Sequence, residues 1–195
     1  MPLIAGSPQY FKSSAKRYEQ GDILRDVTLI QWADVEDERA INVVERTLQY
    51  CVVVSQECDL EHDFNNREKR DKKSEDKYLQ SLLICPAYPA ESFRKGEHLK
   101  QLELRMEVIN SDNWKRLIQN NHARYHYLAK HEDFQIPELI IDFKHYMTVP
   151  RDILYREKFE SCYLATIEIL FRDSLSGRFA QYLSRIGLPD ELTSA

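Results

Sequence analysis

The sequence predicts an α+β protein, a mixed sheet completed by a C-terminal amphipathic helix, and three stretches carry that prediction. Cys51-Val52-Val53-Val54 is an unbroken apolar run, too continuous for a strand with one wet face, so it belongs in the centre of a sheet. Tyr163, Ala165, Ile167, Ile169 and Phe171 recur at period two with Thr166 and Glu168 between them, the pattern of a strand. Leu175, Phe179, Tyr182, Leu183 and Ile186 then follow at i, i+4, i+7, i+8 and i+11, which places them along one side of a helix.

The elements follow in order from punctuation and periodicity. Gln20-Gly21-Asp22 is a turn signal, Ile23 to Trp32 reads as a strand, and Asp34 to Glu38 as an acidic turn. Ala40 to Leu48 leads into the central strand at Cys51. Arg67 to Lys77 mixes both charge signs so evenly that a solvated loop over 61–77 is expected. Tyr78 to Cys85 is the returning strand, stopped by Pro86 and Pro89 and paired with the Cys51 strand as a long-looped hairpin. A helical insertion over 91–121 is read from Leu99, Leu102, Leu104, Met106, Val108 and Ile109 and from Trp114, Leu117 and Ile118, with Ser111-Asp112 as the cap of its second helix. Arg124 to Leu128 and Pro137 to Phe143 read as strands, and Thr148 to Asp152 as a turn. Asp173 or Ser174 would start the last helix, over 173–186, and Gly187 and Pro189 would stop it.

At 195 residues and 43% hydrophobic, the chain can bury one substantial core, so a single domain over 1–195 is expected, with its sheet at about 20–60, 78–86 and 124–171. Charged residues make up 30%, mean hydropathy is -0.56, and no apolar run approaches the ~20 residues that span a bilayer. Met1 to Ser14 has neither the basic start nor the apolar block of a signal peptide, so the expectation is a cytoplasmic protein with no membrane partner. Cys51, Cys58, Cys85 and Cys162 are too few and scattered for a secreted disulfide scaffold, and reduced thiols are expected. A net charge of -5 argues against wholesale nucleic-acid binding, which draws its non-specific affinity from a basic surface.

Two segments carry a family resemblance. Gly21-Asp22-Ile23-Leu24 followed by Tyr50-Cys51-Val52-Val53-Val54-Ser55 is similar to the Gly-Asp-Ile and Pro-Ala-Leu-Val-Leu-Ser strands of PemK/MazF-like toxins, and Ile140 to Leu154 resembles a later strand and turn of that fold. The resemblance implies a partly open SH3-like β-barrel. It covers about a third of the chain, the Arg-Pro entering the second strand is missing, a large insertion follows Cys58, and no toxin catalytic residue carries over. Ser55-Gln56-Glu57-Cys58-Asp59-Leu60 and Arg185-Ile186-Gly187-Leu188-Pro189 also resemble segments of bacterial and phage-encoded proteins, which implies a conflict or defence setting.

Chemistry is expected where the Cys51 strand runs into Ser55 to Asp63. One reading makes Cys58 a nucleophile, activated by His126 or His145 and oriented by Asp59 or Asp142, since an adjacent base lowers a thiol's pKa. A second is zinc held by Cys58, His62, His122 and His126. An extended chain would set the last two about 13 Å apart, so no metal or cofactor is assigned. A third is a pocket for a small anion, a nucleotide or RNA, with Ser55, Gln56, Arg124, Lys144 and Arg151 as polar contacts and Tyr125, Tyr127 and Tyr146 as stacking surfaces. Against all three stands a purely structural turn, in which Ser55, Gln56 and Asp59 bond neighbouring amides over a tucked-in Cys58. Function would then lie in protein contacts. The leading expectation is a non-catalytic binding or regulatory subunit with a protein partner, and a ribonuclease-like or thiol-dependent enzyme is the alternative.

Overall fold

A computed structural model describes residues 9–37, 40–69, 72–156 and 162–185. It shows an α+β protein whose antiparallel sheet is strongly curled into a half-barrel, with a helix at the C-terminal end. The strands are β1 (Tyr10–Phe11), β2 (Asp22–Asp37), β3 (Ala40–Val53), β4 (Ser81–Pro89), β5 (Tyr125–Leu128), β6 (Leu139–Asp142), β7 (Met147–Pro150) and β8 (Tyr163–Ile167). Their order is β1-β8-β2-β3-β4-β6-β5, with β7 also paired to β4. The helices are α1 (Glu57–Lys69), α2 (Ala90–Arg94), α3 (Ser111–Ile118), α4 (Arg151–Arg156) and α5 (Ile169–Leu183). No described helix is long and apolar enough to cross a membrane.

The apolar run in β3 is explained by burial on both faces. Tyr50, Val52 and Val54 point into a core with Ile23, Cys85, Ile141, Ala165 and the α5 residues Leu175 and Phe179. Cys51 and Val53 point the other way, into a second core with Leu24, Leu82, Ile84, Leu60 of α1 and Leu154 of α4. Burying one such side chain is worth about 1.5–3 kcal/mol, so a charge at any of these positions would break the sheet. A third core joins Phe93, Leu99 and Leu117 of the insertion to Tyr88, Tyr125 and Ile140.

Pro86 and Pro89 do not end β4, which runs through both to Pro89. Ladder bonds toward β6 and β7 fall on alternate residues, as the Ala90 N–Glu138 O and Arg151 N–Gln80 O bonds show. That alternation turns the nitrogen of Pro86 toward a point where no donor is needed. Opposite it the partner chain is interrupted: Ala87 pairs with Ile141 and Ile84 with Met147, leaving three extra residues between β6 and β7. These residues, Phe143–His145, form a 3-10 turn. A proline without an N–H therefore costs no hydrogen bond there, and the extra residues bulge outward.

Other expectations are corrected by tertiary context. The segment expected as a charged loop forms α1, whose buried residues are Leu60 and Asp63, followed by a 3-10 turn over Lys72–Lys77. Too few apolar positions mark the helix for periodicity to detect it. Its Glu57 and Asp59 lie in the first turn and Arg67 and Lys69 in the last, matching the helix dipole. The acidic stretch after Trp32 continues β2 to Asp37, while Glu38 lies outside the described residues. The insertion is helical only in part, as α2, a 3-10 turn at Lys100–Leu102 and α3, and the cap of α3 is Asn110, whose side chain accepts from Asn113 N. Gly96 enters this insertion at φ +71, where a Cβ would collide with the Met106 carbonyl. Thr148 to Asp152 is the end of β7 and the start of α4 instead of a turn.

β8 ends at Ile167 and α5 begins at Ile169, capped by the Glu168 side chain accepting from Leu170 N, so Ile169 and Phe171 are helical and neither Asp173 nor Ser174 is the cap. Ile186, Gly187 and Pro189 lie outside the described residues.

Candidate functional site

The strand end at Ser55 is held by local bonds, and the residue that organises it is Glu57. Ser55 Oγ accepts from Leu83 N at 2.7 Å, and Gln56 O accepts from Leu60 N to start α1. Glu57 accepts from Arg17 at 2.6 Å, from Gln20 N at 2.7 Å and from Arg172 at 3.3 Å. Arg172 also donates to Gln20 O, so one carboxylate ties the chain before β2, the start of α1 and α5 together. Gly21 completes the junction at φ +87, donating to Val53 O and accepting from Ile167 N. A Cβ there would press on Ile167 and Arg172 at 3.1 Å.

Cys58 and Asp59 sit exposed on the outside of this turn. The Cys58 thiol is 3.8 Å from Gln56 Oε1 and 3.9 Å from Asp59 Oδ1, and no described histidine makes a hydrogen bond to it. The tucked-in arrangement expected for Cys58 is therefore replaced by an open one. Cys51 and Cys85 are buried, and desolvation pushes both thiols far up. Asp63, on the next turn, faces inward and binds Arg67 at 2.6 Å, Leu79 N at 2.9 Å and Arg151. That pairing occupies Arg151, one of the expected anion contacts.

His126 is 3% exposed and packs under α5, where its Nδ1 accepts from Arg178 Nε at 3.1 Å. Burial first, and then the Arg178 charge, push its pKa down to about 3, so the ring is neutral. Arg178 also donates to the carbonyls of Asn120, His122 and Tyr125, which makes it a pin between α5 and the chain entering β5. Nothing in the sequence around Arg178 marks this role, because its partners lie more than fifty residues away.

The strand bulge gathers the other expected residues. Asp142 is fully buried and takes a two-point contact from Arg124, at 2.7 and 2.6 Å. Lys144 N donates to Asp142 Oδ1 at 3.0 Å, while the Lys144 side chain is exposed. His145 Nδ1 lies 2.9 Å from Asp142 Oδ2, out of line for a full hydrogen bond. Burial alone would raise the Asp142 carboxyl, but the His145 and Arg124 contacts overcome it and hold the pKa at about 2. The expected stacking surfaces serve packing: Tyr125 is edge-on to Phe93, Tyr127 donates to Glu138, and Tyr146 is edge-on to Phe179. Among the described residues no three His, Cys, Asp or Glu side chains come together as a metal site, so Cys58, His62, His122 and His126 do not form one.

A concavity that sequence reasoning missed lies on the other side of the half-barrel. Beyond Leu24↔Tyr163 and Tyr50↔Ala87, β2 and β3 lose their outer neighbours and continue as a two-stranded ribbon. Between that ribbon and β7 runs a groove of about 660 Å³, lined by Thr28, Leu29, Ile30, Glu45, Arg46, Met147–Pro150 and Ile153. Ile30 is 62% exposed there. β7 bonds to β4 through alternate residues, so the Thr148 N–H and C=O point away from β4, with no strand beside them among the described residues. In comparisons with known proteins, no family model matches the chain and no curated protein matches it.

Proposed function

We propose that this protein is a non-catalytic binding or regulatory subunit, built on a partly open SH3-like barrel of the PemK/MazF-like kind and acting in the cytoplasm within a prokaryotic or phage conflict system. The observation that carries the binding role is the apolar groove between the β2–β3 ribbon and β7. Its occupant is an extended segment of a partner protein. Thr28–Ile30 and Met147–Pro150 line the groove as consecutive residues, which brings backbone as well as side chains to its walls. An added strand would satisfy the outward Thr148 groups and cover Leu29, Ile30 and Ile153. The conflict setting rests on the resemblance of Ser55 to Leu60 and of Arg185 to Pro189.

The test is co-expression with the products of the flanking genes and measurement of co-elution. One product should form a complex, and Ile30→Asp should weaken it at least ~30-fold, the effect of losing a central anchor of about 2 kcal/mol. Absence of a complex with either product, or an undiminished complex with Ile30→Asp, overturns the proposal.

The Asp142–His145 pair favours a second reading, a ribonuclease-like enzyme with His145 as the base and Asp142 orienting it. Single-stranded RNA would then be cut by the parent protein, and His145→Gln would lower the rate ~10²-fold or more. Cys58→Ala would leave that rate unchanged, since the thiol contacts no imidazole. Intact RNA after incubation with the parent protein retires the enzyme, and loss of cleavage in Cys58→Ala would restore the thiol-dependent version.

A further inference from the structure

The β2–β3 ribbon leaves the body of the protein with two open edges, and the two differ. On the β2 side Asp26 stands at φ 55. Gln31 and Glu36 are extra residues there, because Ile30 pairs with Glu45 and Trp32 with Val44, then Val35 with Ile41 and Asp37 with Ala40. Such bulges twist an edge and spoil it as a template for a further strand. Both extra residues belong to β2, so β3 keeps an unbroken alternation from Ala40 to Val53. It contains neither proline nor glycine.

Two bonds at the base of β3 fix the direction of its backbone groups. Val54 N donates to Leu83 O on the β4 side, and Val53 O accepts from Gly21 N on the β2 side. By the strand's alternation, the N–H and C=O of Leu48, Arg46, Val44 and Asn42 also face the β4 side. β4 meets β3 only as far as Tyr50↔Ala87, so among the described residues no strand satisfies these groups. Nearer the body, Arg46–Tyr50 share a cavity of about 250 Å³ with the turn at 97–102, which leaves Ala40–Arg46 as the open stretch. Val43 within it is 47% exposed. A ribbon of two strands is marginal in water, and further strands stabilise it.

We propose that β3 pairs with β3 of a second copy of this chain, antiparallel about a two-fold axis at Val43. A two-fold pairing satisfies both open edges at once and leaves only the bulged β2 edges outside, so the assembly closes at a dimer. Charge and reach select the register. An axis at Glu45 or Arg46 sets like charges opposite each other. An axis at Val44 draws Leu48 into the pairing, on the stretch that faces the turn at 97–102, and an axis at Asn42 shortens the overlap. With the axis at Val43, Asn42 meets the partner's Val44 and Ala40 meets the partner's Arg46, and these pairs exchange the outward N–H and C=O groups. Val43 meets its own counterpart in a pair without hydrogen bonds, where side chains approach most closely, and its exposed surface is covered. β3 runs from the ribbon tip into the body, so overlapping the tips antiparallel sends the two bodies to opposite ends. Neither Val43 nor Val44 lines the β2–β7 groove, and the dimer stands or falls independently of it.

Sedimentation velocity of the purified chain, at concentrations up to several times a Kd of about 100 μM, tests the proposal. A monomer–dimer equilibrium with a Kd below that value is expected. Val43→Lys, at an exposed position, sets two like charges across the axis and should weaken the dimer at least ~10-fold. Val44→Pro removes an N–H that faces only the open edge, and it should weaken the dimer as much with the circular dichroism spectrum unchanged. If Val44→Pro loses its fold, Val43→Lys alone decides. A monomer at every concentration, an assembly larger than a dimer, or a dimer that Val43→Lys leaves unchanged overturns the proposal.

Discussion

Arg178→Met is expected to lower folding stability by about 3–5 kcal/mol, measured by urea denaturation with an unchanged slope. Methionine preserves length and bulk but donates nothing. The carbonyls of Asn120, His122 and Tyr125 and the His126 Nδ1 would all lose their donor; Tyr125 and His126 are buried, Asn120 and His122 half-buried. Each buried acceptor left unsatisfied costs about 1–3 kcal/mol, so Tyr125 and His126 account for most of the stated range, while water can reach the half-buried Asn120 and His122 carbonyls. Arg178→Lys should fall between, because a point charge on a flexible stem cannot reach four acceptors spread around a planar fork. A loss below about 1 kcal/mol for Arg178→Met would mean that the α3–β5 loop is not held from α5.

Asp22→Asn is expected to stabilise the protein at pH 8 and to change little at pH 4. Asp22 is 1% exposed, its Oδ2 accepting from Glu19 N at 2.8 Å and its Oδ1 from Thr166 Oγ1 at 2.7 Å, and Thr166 Oγ1 is in turn 2.8 Å from Tyr163 Oη. Burial is the main cause that raises its pKa from 3.8 to about 7, against the lowering effect of those two bonds. The folded state therefore holds the proton more tightly than the unfolded chain. Below pH 3.8 both states are protonated and there is no penalty. As pH rises toward 7 the unfolded chain ionises freely while the folded one resists, and stability falls by on the order of 4 kcal/mol at most.

Asparagine is neutral throughout and can keep both bonds, its carbonyl facing Glu19 N and its amide facing Thr166. The difference in Tm between the Asp22→Asn variant and the parent should thus widen from pH 4 to pH 8, by roughly 2–4 °C for each kcal/mol recovered. A gap that does not change with pH would remove the buried-charge account. Asp142 contributes with the opposite sign: its pKa is held near 2, so the stability it adds is present above the ordinary carboxyl range and is lost as pH falls toward 2.

Much of the sheet is legible in the sequence because strands advertise themselves by what they bury. Cys51 to Val54 reads as a central strand since both its faces are covered, and Tyr125–Leu128 and Leu139–Asp142 are marked by their aromatic and β-branched content. Elements whose stability comes from a few inward contacts are not legible in this way. α1 buries little beyond Leu60 and Asp63, so its charged surface has the pattern of a loop. The candidate site divides along the same line. Arg124, Asp142, Lys144 and His145 are neighbours because two strands are neighbours, but the Cys58 thiol makes no hydrogen bond to any described histidine, its contacts being with Gln56 and Asp59.

Local order along the chain is enough to establish an α+β protein, its central strand, the pairing of β3 with β4 and a last helix, of whose expected apolar face Leu175 and Phe179 are buried while Leu183 is exposed. The roles of Glu57, Arg178, Asp22 and the β2–β7 groove come from the folded arrangement alone. Charged and polar side chains find partners wherever the backbone brings an acceptor, a hundred residues off as readily as four, so their pairing leaves no period to read. The groove exists because neighbouring strands stop while β2 and β3 continue, a difference in length between elements far apart in the chain.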